Sequence, residues 1–195
     1  MENRPQFAVV PSGPLGDFVR QVTSAINEHS SEELVLPQVA SFMKTLVQND
    51  NWLSEEFCKP HPEYYQQYLL YADPDDRFSV VSFVWGPGQA TPIHDHTVWG
   101  VIGMLRGSEY AQAYDVALDG TQPKPKGETQ QLQPGDVECV SPTLGDVHKV
   151  WNAFNDRVSV SVHAYGANIG KVSRQVYPVD GSAPKTFISG YSNVN

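Results

Sequence analysis

Two histidines one residue apart, His94 and His96 in PIHDHTVWGVIGMLRG, are the first residues whose types and spacing suit chemistry. On an extended strand side chains alternate, so the pair shares a face and offers two neutral ring nitrogens to a cation. Asp95 between them points the other way and reads as a supporting or structural residue. A third histidine, His148, lies in GDVECVSPTLGDVHKVWN with Pro142, Gly145 and Asn152. Further on, SVSVHAYG sets Ser161, His163 and Tyr165 at alternate positions. Three such side chains on one strand face can join hydroxyl, imidazole and phenol in a line of hydrogen bonds. The line is either part of a reaction or a buried polar ladder bracing the fold; a metal-ligand role for His163 ranks behind both. His29 and His61 fall outside the strand-like segments and read as surface or packing residues.

The elements around these residues change period along the chain. Residues 14–48 read as helix, with Leu15, Phe18, Val19, Val22 and Ile26 recurring at three- and four-residue steps. A second segment opens at the SSEE run of residues 30–33, where serines suit a cap and acids suit the positive helix end. Pro37 is placed to start a separate helix through Val47. From residue 64 the period becomes two. YQQYLLY, RFSVVSFVWG, VWGVIGML, YAQAYDV, TQQLQPGDVECV, VHKVWNA and VSVSVHAYG are short, rich in β-branched and aromatic residues, and divided by turn signals. The pattern predicts a mainly β fold, an antiparallel sandwich or barrel, with the helices packed on it. Residues 119–129, DGTQPKPKGET, read as a polar hairpin loop. The expected organisation is one domain: a helical flank over 14–57, a barrel over 64–178 and a wrapping tail over 179–195.

Composition narrows the partners. The chain has 195 residues, enough to bury a sizeable core, with 40% hydrophobic and 18% charged residues. A formal charge of −9 repels both a phosphate backbone and an anionic membrane, so neither nucleic acid nor membrane is an expected partner. The two cysteines, Cys58 and Cys139, are far apart and show no metal or disulfide spacing, which favours a reducing compartment. The opening MENRPQFAVV has no signal-like apolar core, and no apolar run nears the roughly 20 residues that span a bilayer. A cytoplasmic protein, a monomer or a weak homo-oligomer, is expected.

The histidine motifs resemble those of the cupin family, G-x5-H-x-H-x3-E-x6-G followed by G-x5-P-x-G-x2-H-x3-N. Gly88, His94, His96 and Gly107 fit the first motif, with Gly100 at the place of its glutamate. Gly135, Pro142, Gly145, His148 and Asn152 fit the second with two one-residue insertions. The resemblance implies a double-stranded, jelly-roll-like β-barrel in which His148 joins His94 and His96 around a metal. Three imidazoles suit iron, copper, zinc or nickel and leave about three positions open on an octahedral ion. Without a carboxylate such an ion keeps its full charge, which invites an anionic ligand; a soft thiolate is the obvious one. The alternative reading of Gly100 is close packing alone.

Within the cupins this departure is that of the thiol dioxygenases. The chain is similar to cysteine dioxygenases and more closely to 3-mercaptopropionate dioxygenases over about residues 61–178. YYQQYLLY, FSVVSFVWGPG, HDHTVWGVIGMLRG, PTLGDVHKVWN and SVHAYGANIG carry the likeness. It implies Fe(2+) held by His94, His96 and His148, and a Ser161–His163–Tyr165 relay that brings the phenol beside the metal as a donor. Mammalian cysteine dioxygenase cross-links this tyrosine to a cysteine whose matching position is Gly100, so Tyr165 is expected unmodified. Gln67 stands where cysteine dioxygenases carry an arginine, and Arg174 matches the carboxylate-binding arginine of the mercaptopropionate enzymes. Arg174 as an ordinary surface ion pair stays open. Tyr65, Trp85 and Trp99 are candidates to wall the pocket or to pack the core. The implied reaction adds both oxygen atoms of O2 to the sulfur of a small carboxylate-bearing thiol, 3-mercaptopropionate, giving a sulfinate. The alternatives are cysteine as substrate, a three-histidine zinc hydrolase, or a cupin without catalysis.

Overall fold

In SVSVHAY the period of two gives each side chain a different neighbourhood. Val160, Val162 and Ala164 join an apolar cluster with the helices, while Ser161, His163 and Tyr165 bond to one another on the opposite face. The rest of the architecture follows from keeping both faces of this strand dry.

A computed structural model describes residues 6–117, 119 and 121–194. Helices α1 (Gly13–Glu28) and α2 (Glu32–Leu46) come first. Strands follow as β1 (Gln66–Ala72), β2 (Ser79–Trp85), β3 (Gly100–Arg106), β4 (Glu109–Asp115), β5 (Lys124–Leu132), β6 (Val137–Val140), β7 (His148–Asn152), β8 (Ser159–Tyr165), β9 (Arg174–Val176) and β10 (Lys185–Phe187). One sheet has the order β1-β2-β8-β3-β6; a second has β5-β4-β7, and β9 pairs with β10. The segment at residues 90–94 bridges Trp151 and His148 on β7 and Val176 on β9, so it takes the place of a strand between them. All these pairings are antiparallel. The fold is mainly β: a double-stranded β-barrel of cupin type with two helices packed on one sheet.

The helices cover the outer face of the first sheet. Phe18, Val19 and Val22 of α1 and Val35, Leu36, Val39, Met43 and Leu46 of α2 recur at helical spacing and are buried in one cluster with Val80, Val84, Val101 and Val162. Gly103 lets α2 approach closely, since a Cβ there would lie 2.7 Å from Met43 Cγ. Neither helix is long and apolar enough to cross a membrane, nor is any other among the described residues.

Three details depart from expectation. Pro37 lies inside α2 rather than starting a helix. Its ring fixes a φ that a helix accepts, and the cost is the bond its missing N–H would have made together with the crowding of the ring against the carbonyl one turn back. Ser31 is the N-cap residue of α2, but its hydroxyl makes no capping bond; Glu32 and Glu33 do occupy the first turn. Residues 124–129, expected as loop, belong to β5 and pair with β4 from Ala113↔Lys126 to Asp115↔Lys124. Gly127, at φ +66, accompanies the register shift in this exposed ribbon. The tail beyond residue 187 runs along the outer edge of β1. There Ser192 N–H donates to Gln67 O at 2.8 Å, and Asn193 exchanges bonds with the Leu69 backbone at 2.8 and 3.0 Å. It thereby pairs an edge that would otherwise stay open.

Met43 is fully buried against Gly103. Met43→Ala is expected to lower unfolding stability by about 2–5 kcal/mol in denaturant titration, with the metal content of the folded protein unchanged.

Candidate metal centre

The segment holding His94 and His96 is not the regular strand that the spacing predicts. His94 exchanges two backbone bonds of 3.0 Å with His148, and beyond it the chain turns away, with Thr97 at φ +61. A β-branched residue in that region costs on the order of 1–3 kcal/mol, so something must hold it. Asp146 does. Its carboxylate accepts from His96 N–H at 3.0 Å, from Thr97 N–H at 2.8 Å and meets His96 Nδ1 at 2.9 Å. One acidic side chain thus fixes both the turn and the ring of His96.

The three rings converge. Their centroids lie 4.9 Å (His94–His96), 5.0 Å (His94–His148) and 4.9 Å (His96–His148) apart, a near-equilateral triangle. One nitrogen from each ring lies within 4.8 Å of the other two, and all three residues are buried. His94 Nδ1 sits 3.0 Å from Pro92 O, which keeps the proton on Nδ1 and leaves Nε2 as an acceptor. Burial, and then the neighbouring His96, hold the His94 pKa down at about 3. Burial followed by the two other rings pushes His148 well below its usual value. These imidazoles are therefore neutral at ordinary pH, the form that ligates a metal. His148 Nδ1 is buried and has no hydrogen-bond partner among the described residues. Three buried ring nitrogens facing one point fit a divalent transition-metal ion.

A second row of polar groups runs inward from the triangle. Tyr165 stacks on His96 at 5.4 Å. Its hydroxyl lies 2.8 Å from His163 Nδ1, and His163 Nε2 lies 2.8 Å from Ser161 Oγ. With both nitrogens engaged, His163 is not available as a fourth ligand. Two residues complete the row, Glu109, which sequence reasoning missed, and Trp85, one of the expected pocket or core aromatics: Ser161 Oγ bonds Glu109 Oε2 at 2.8 Å and accepts from Trp85 Nε1 at 3.1 Å. Trp85 therefore braces this row inside the barrel, whereas Trp99 packs against the helix-side core. Glu109 is 1% exposed, and burial raises its pKa to about 7. A signal existed, because Glu109 and the buried Ala111 alternate on β4, but an acid at a strand start ordinarily reads as solvent-facing.

Gly100 pairs with Tyr165 across β3 and β8, and a Cβ at Gly100 would lie 3.0 Å from two carbons of the Tyr165 ring. Glycine here seats the tyrosine. Cys139 pairs with Val101 on β6, Cys58 packs in the helix-side core, and both thiols are free.

At the other side of the triangle Arg174 is 4% exposed and has no carboxylate ion-pair partner among the described residues. Its Nη2 donates to Ser189 Oγ at 2.6 Å, its guanidinium lies 4.6 Å over Phe187, and its Nε has no partner. A surface ion pair it is not. Gln67 donates to the same Ser189 Oγ at 3.2 Å and to Gly190 O at 3.1 Å, so its amide holds the tail. Tyr65 packs on Trp85 at 5.0 Å; burial raises its pKa, and the charge of Arg174 opposes that rise. Asp95 latches β9 to the histidine segment, accepting from Gln175 N–H and Tyr177 Oη–H, each at 2.8 Å. Of the remaining histidines, His61 stacks on Tyr64 and His29 ends α1. Asp146 was foreshadowed by its place two residues before His148; Ser189, in a tail without periodicity, had no signal.

The family model described as cysteine dioxygenase type I matches residues 9–175 of the chain. Among solved structures, an uncharacterized conserved protein with a double-stranded β-helix domain from Klebsiella pneumoniae subsp. pneumoniae is similar at 20% identity. That match covers 60% of this chain and 90% of the other, with a TM-score of 0.46. A cupin 2 conserved barrel domain protein from Rhodopseudomonas palustris is 17% identical over 63% of this chain and 76% of its own, with a TM-score of 0.44. A cupin-like protein from Thermotoga maritima is 20% identical over 57% and 77%, with a TM-score of 0.41.

Two outcomes follow from this geometry. Asp146→Ala is expected to weaken metal binding by about 10–100-fold in a competition titration; unchanged affinity would remove Asp146 from the site. For Glu109, folded and unfolded chains both hold the proton below the ordinary carboxyl value of 4.5, whereas above about 7 only the folded chain buries the charge. Stability therefore falls as pH rises through that window, by about 3 kcal/mol from this group. Glu109→Gln should gain on the parent by that order between pH 5 and pH 8 in denaturant midpoints.

Proposed function

The chain belongs to the cysteine dioxygenase type I family, and from that premise we propose that it is an iron(II)-dependent thiol dioxygenase acting on 3-mercaptopropionate. The balanced reaction takes R–SH and O2 to R–SO2⁻ and one proton: the S–H bond breaks and two S–O bonds form. When bound to His94, His96 and His148, iron supplies the redox chemistry that joins sulfur to dioxygen. The remaining work falls to the protein's own side chains.

The observation that carries the substrate choice is Arg174, a guanidinium inside the barrel with an unpartnered Nε and no ion-pair partner among the described residues. A buried cation without a partner is costly, and a ligand carboxylate removes that cost with charge-assisted, fork-matched bonds. Arg174 lies within electrostatic reach of His94, Tyr65 and Tyr165, so an anion held there keeps the far end of a short thiol near the three nitrogens. A carboxylate two carbons from the sulfur fits that reading.

Charge also argues against an α-amino group. The two carboxylates nearest the histidines are already committed, Asp95 to Gln175 and Tyr177, Asp146 to His96 and Thr97. Gln67 offers a neutral amide that is already bonded to the tail. An ammonium group brought into this site would meet no free anion among these residues, which supports 3-mercaptopropionate over cysteine. Tyr165, stacked on His96 and backed by His163, is placed to donate its hydroxyl proton to the reacting oxygen or sulfur.

Oxygen uptake across a panel of thiols, with iron measured on the same sample, tests this directly. Uptake should track iron content and favour 3-mercaptopropionate; a clear preference for cysteine would overturn the substrate, and stoichiometric zinc without thiol-dependent uptake would overturn the reaction. His148→Ala should lose metal and activity together. Arg174→Gln should raise KM for 3-mercaptopropionate by roughly tenfold or more, the worth of one charged hydrogen bond, while leaving a thiol without a carboxylate little changed.

A further inference from the structure

The hydrogen bonds from Tyr165 to Glu109 can be counted to a conclusion. Trp85 Nε1–H can only donate, so Ser161 Oγ accepts from it. The hydroxyl then has one proton to give and one further bond to accept, shared between Glu109 Oε2 and His163 Nε2. With Glu109 ionised it must receive, so Ser161 donates to it. His163 then donates from Nε2, and its bare Nδ1 takes the Tyr165 hydroxyl proton. With Glu109 protonated every bond reverses: Glu109 donates to Ser161, Ser161 to His163 Nε2, and His163 Nδ1–H to the Tyr165 oxygen. Only in that second arrangement does the Tyr165 O–H point into the site. Both arrangements satisfy every donor and acceptor from Glu109 to His163, and the second frees the Tyr165 O–H for a partner in the site.

We propose that Glu109 is the proton store of this relay: the proton released by the substrate thiol ends on Glu109, and its arrival turns the Tyr165 hydroxyl toward the site as a donor. The inference rests on the dioxygenase reading for its substrate. The proton balance closes. The S–H bond breaks, Tyr165 takes that proton and passes its own to His163 Nδ1, Nε2 releases one to Ser161, and Ser161 releases one to Glu109. One bond, Oε2–H, is gained overall, and every other group keeps its ordinary valence with its direction reversed. No proton has to leave the barrel before oxygen arrives.

The surroundings suit such a store. Glu109 is buried between β2, β4 and β8, and no lysine or arginine pairs with it among the described residues. The titratable groups that face it are His163 and Tyr165 through Ser161, and Glu138 on β6, whose negative charge further favours the protonated form. Burial first, with Glu138 adding to it and the bonds from Ser161 and Trp85 opposing it, sets its proton affinity near neutrality, where it can both lose and regain the proton. Glu109 is thus a positioning residue, acting on the substrate only through Tyr165.

The tautomer of His163 reads the state of the relay without turnover. In the full chain labelled with 15N-histidine and loaded with zinc as a diamagnetic ion, His163 should carry its proton on Nδ1 at pH 5.5 and on Nε2 at pH 8.5. Adding 3-mercaptopropionate at pH 8.5 should return it to Nδ1. Glu109→Gln should abolish both changes. Ser161→Ala, which cuts the link and keeps the acid, should abolish them too and serves if the first variant does not fold. In oxygen uptake, kcat/KM of the iron-loaded parent should fall about tenfold as pH falls through the same midpoint, where the store is already full, and the Glu109→Gln profile should lose that limb. One tautomer throughout in the parent, or the same midpoint in either variant, would overturn the proposal. Absence of uptake at every pH would instead sink the dioxygenase reading, and the tautomer would still decide this one.

Discussion

Three imidazoles packed within 5 Å of one another and shut off from water cannot all carry charge. Burial and mutual repulsion hold His94 and His148 far below their solution behaviour, so the triangle is a cluster of lone pairs aimed at one point. Neutral rings alone would gain little from such crowding; a cation between them is what makes the arrangement favourable. The backbone exchange between His94 and His148, the turn at Thr97 and the carboxylate of Asp146 all serve to hold those lone pairs in place before an ion is bound.

The barrel answers this constraint with two further buried charges that are not paired with each other. Arg174 lies toward the tail, and Glu109 lies inward beyond Ser161. A fold concerned only with stability would let a guanidinium and a carboxylate meet, or would replace both with apolar side chains. Here each faces a different end of the reacting region. On the proposed reading the guanidinium takes a negative ligand and the carboxyl takes a proton. Between them runs β8, whose other face carries Val160, Val162 and Ala164 into the helix-side core. The helices thus contribute to the chemistry indirectly, by making the strand that bears Ser161, His163 and Tyr165 immobile.

Much of this was legible because strands write their two faces into alternate positions. The seven segments read as strands from residue 64 onward each contain one in the structure, and SVSVHAY declared its polar face outright. The H-x-H pair was legible as chemistry but not as geometry: the segment is not a regular strand, and the left-handed Thr97 has no glycine or asparagine to announce it. Asp146, Glu109 and Ser189 were not assigned to the site for a common reason. Each acts through a contact that spans at least 15 residues of chain, from Asp146 to His96, Glu109 to Ser161, and Ser189 to Arg174 and Gln67. Short-range periodicity carries no information about such contacts. Pro37 inside α2 and the strand at residues 124–129 are the opposite case, where local propensity spoke clearly and packing and pairing overrode it.

Gly100 joins the two halves of the site. At this position the related metal-binding pattern has a carboxylate, and its loss looks at first like a subtraction. The structure gives it a second meaning, because a side chain at residue 100 would begin 3.0 Å from the ring of Tyr165. A side chain there crowds both the Tyr165 ring and Val140, each 3.0 Å from its first carbon, and one of them has to give. Removing the fourth ligand and seating the phenol are therefore one change, made by one glycine. The ion keeps the charge that draws an anionic sulfur, and the freed volume goes to the group that can give that sulfur's partner a proton.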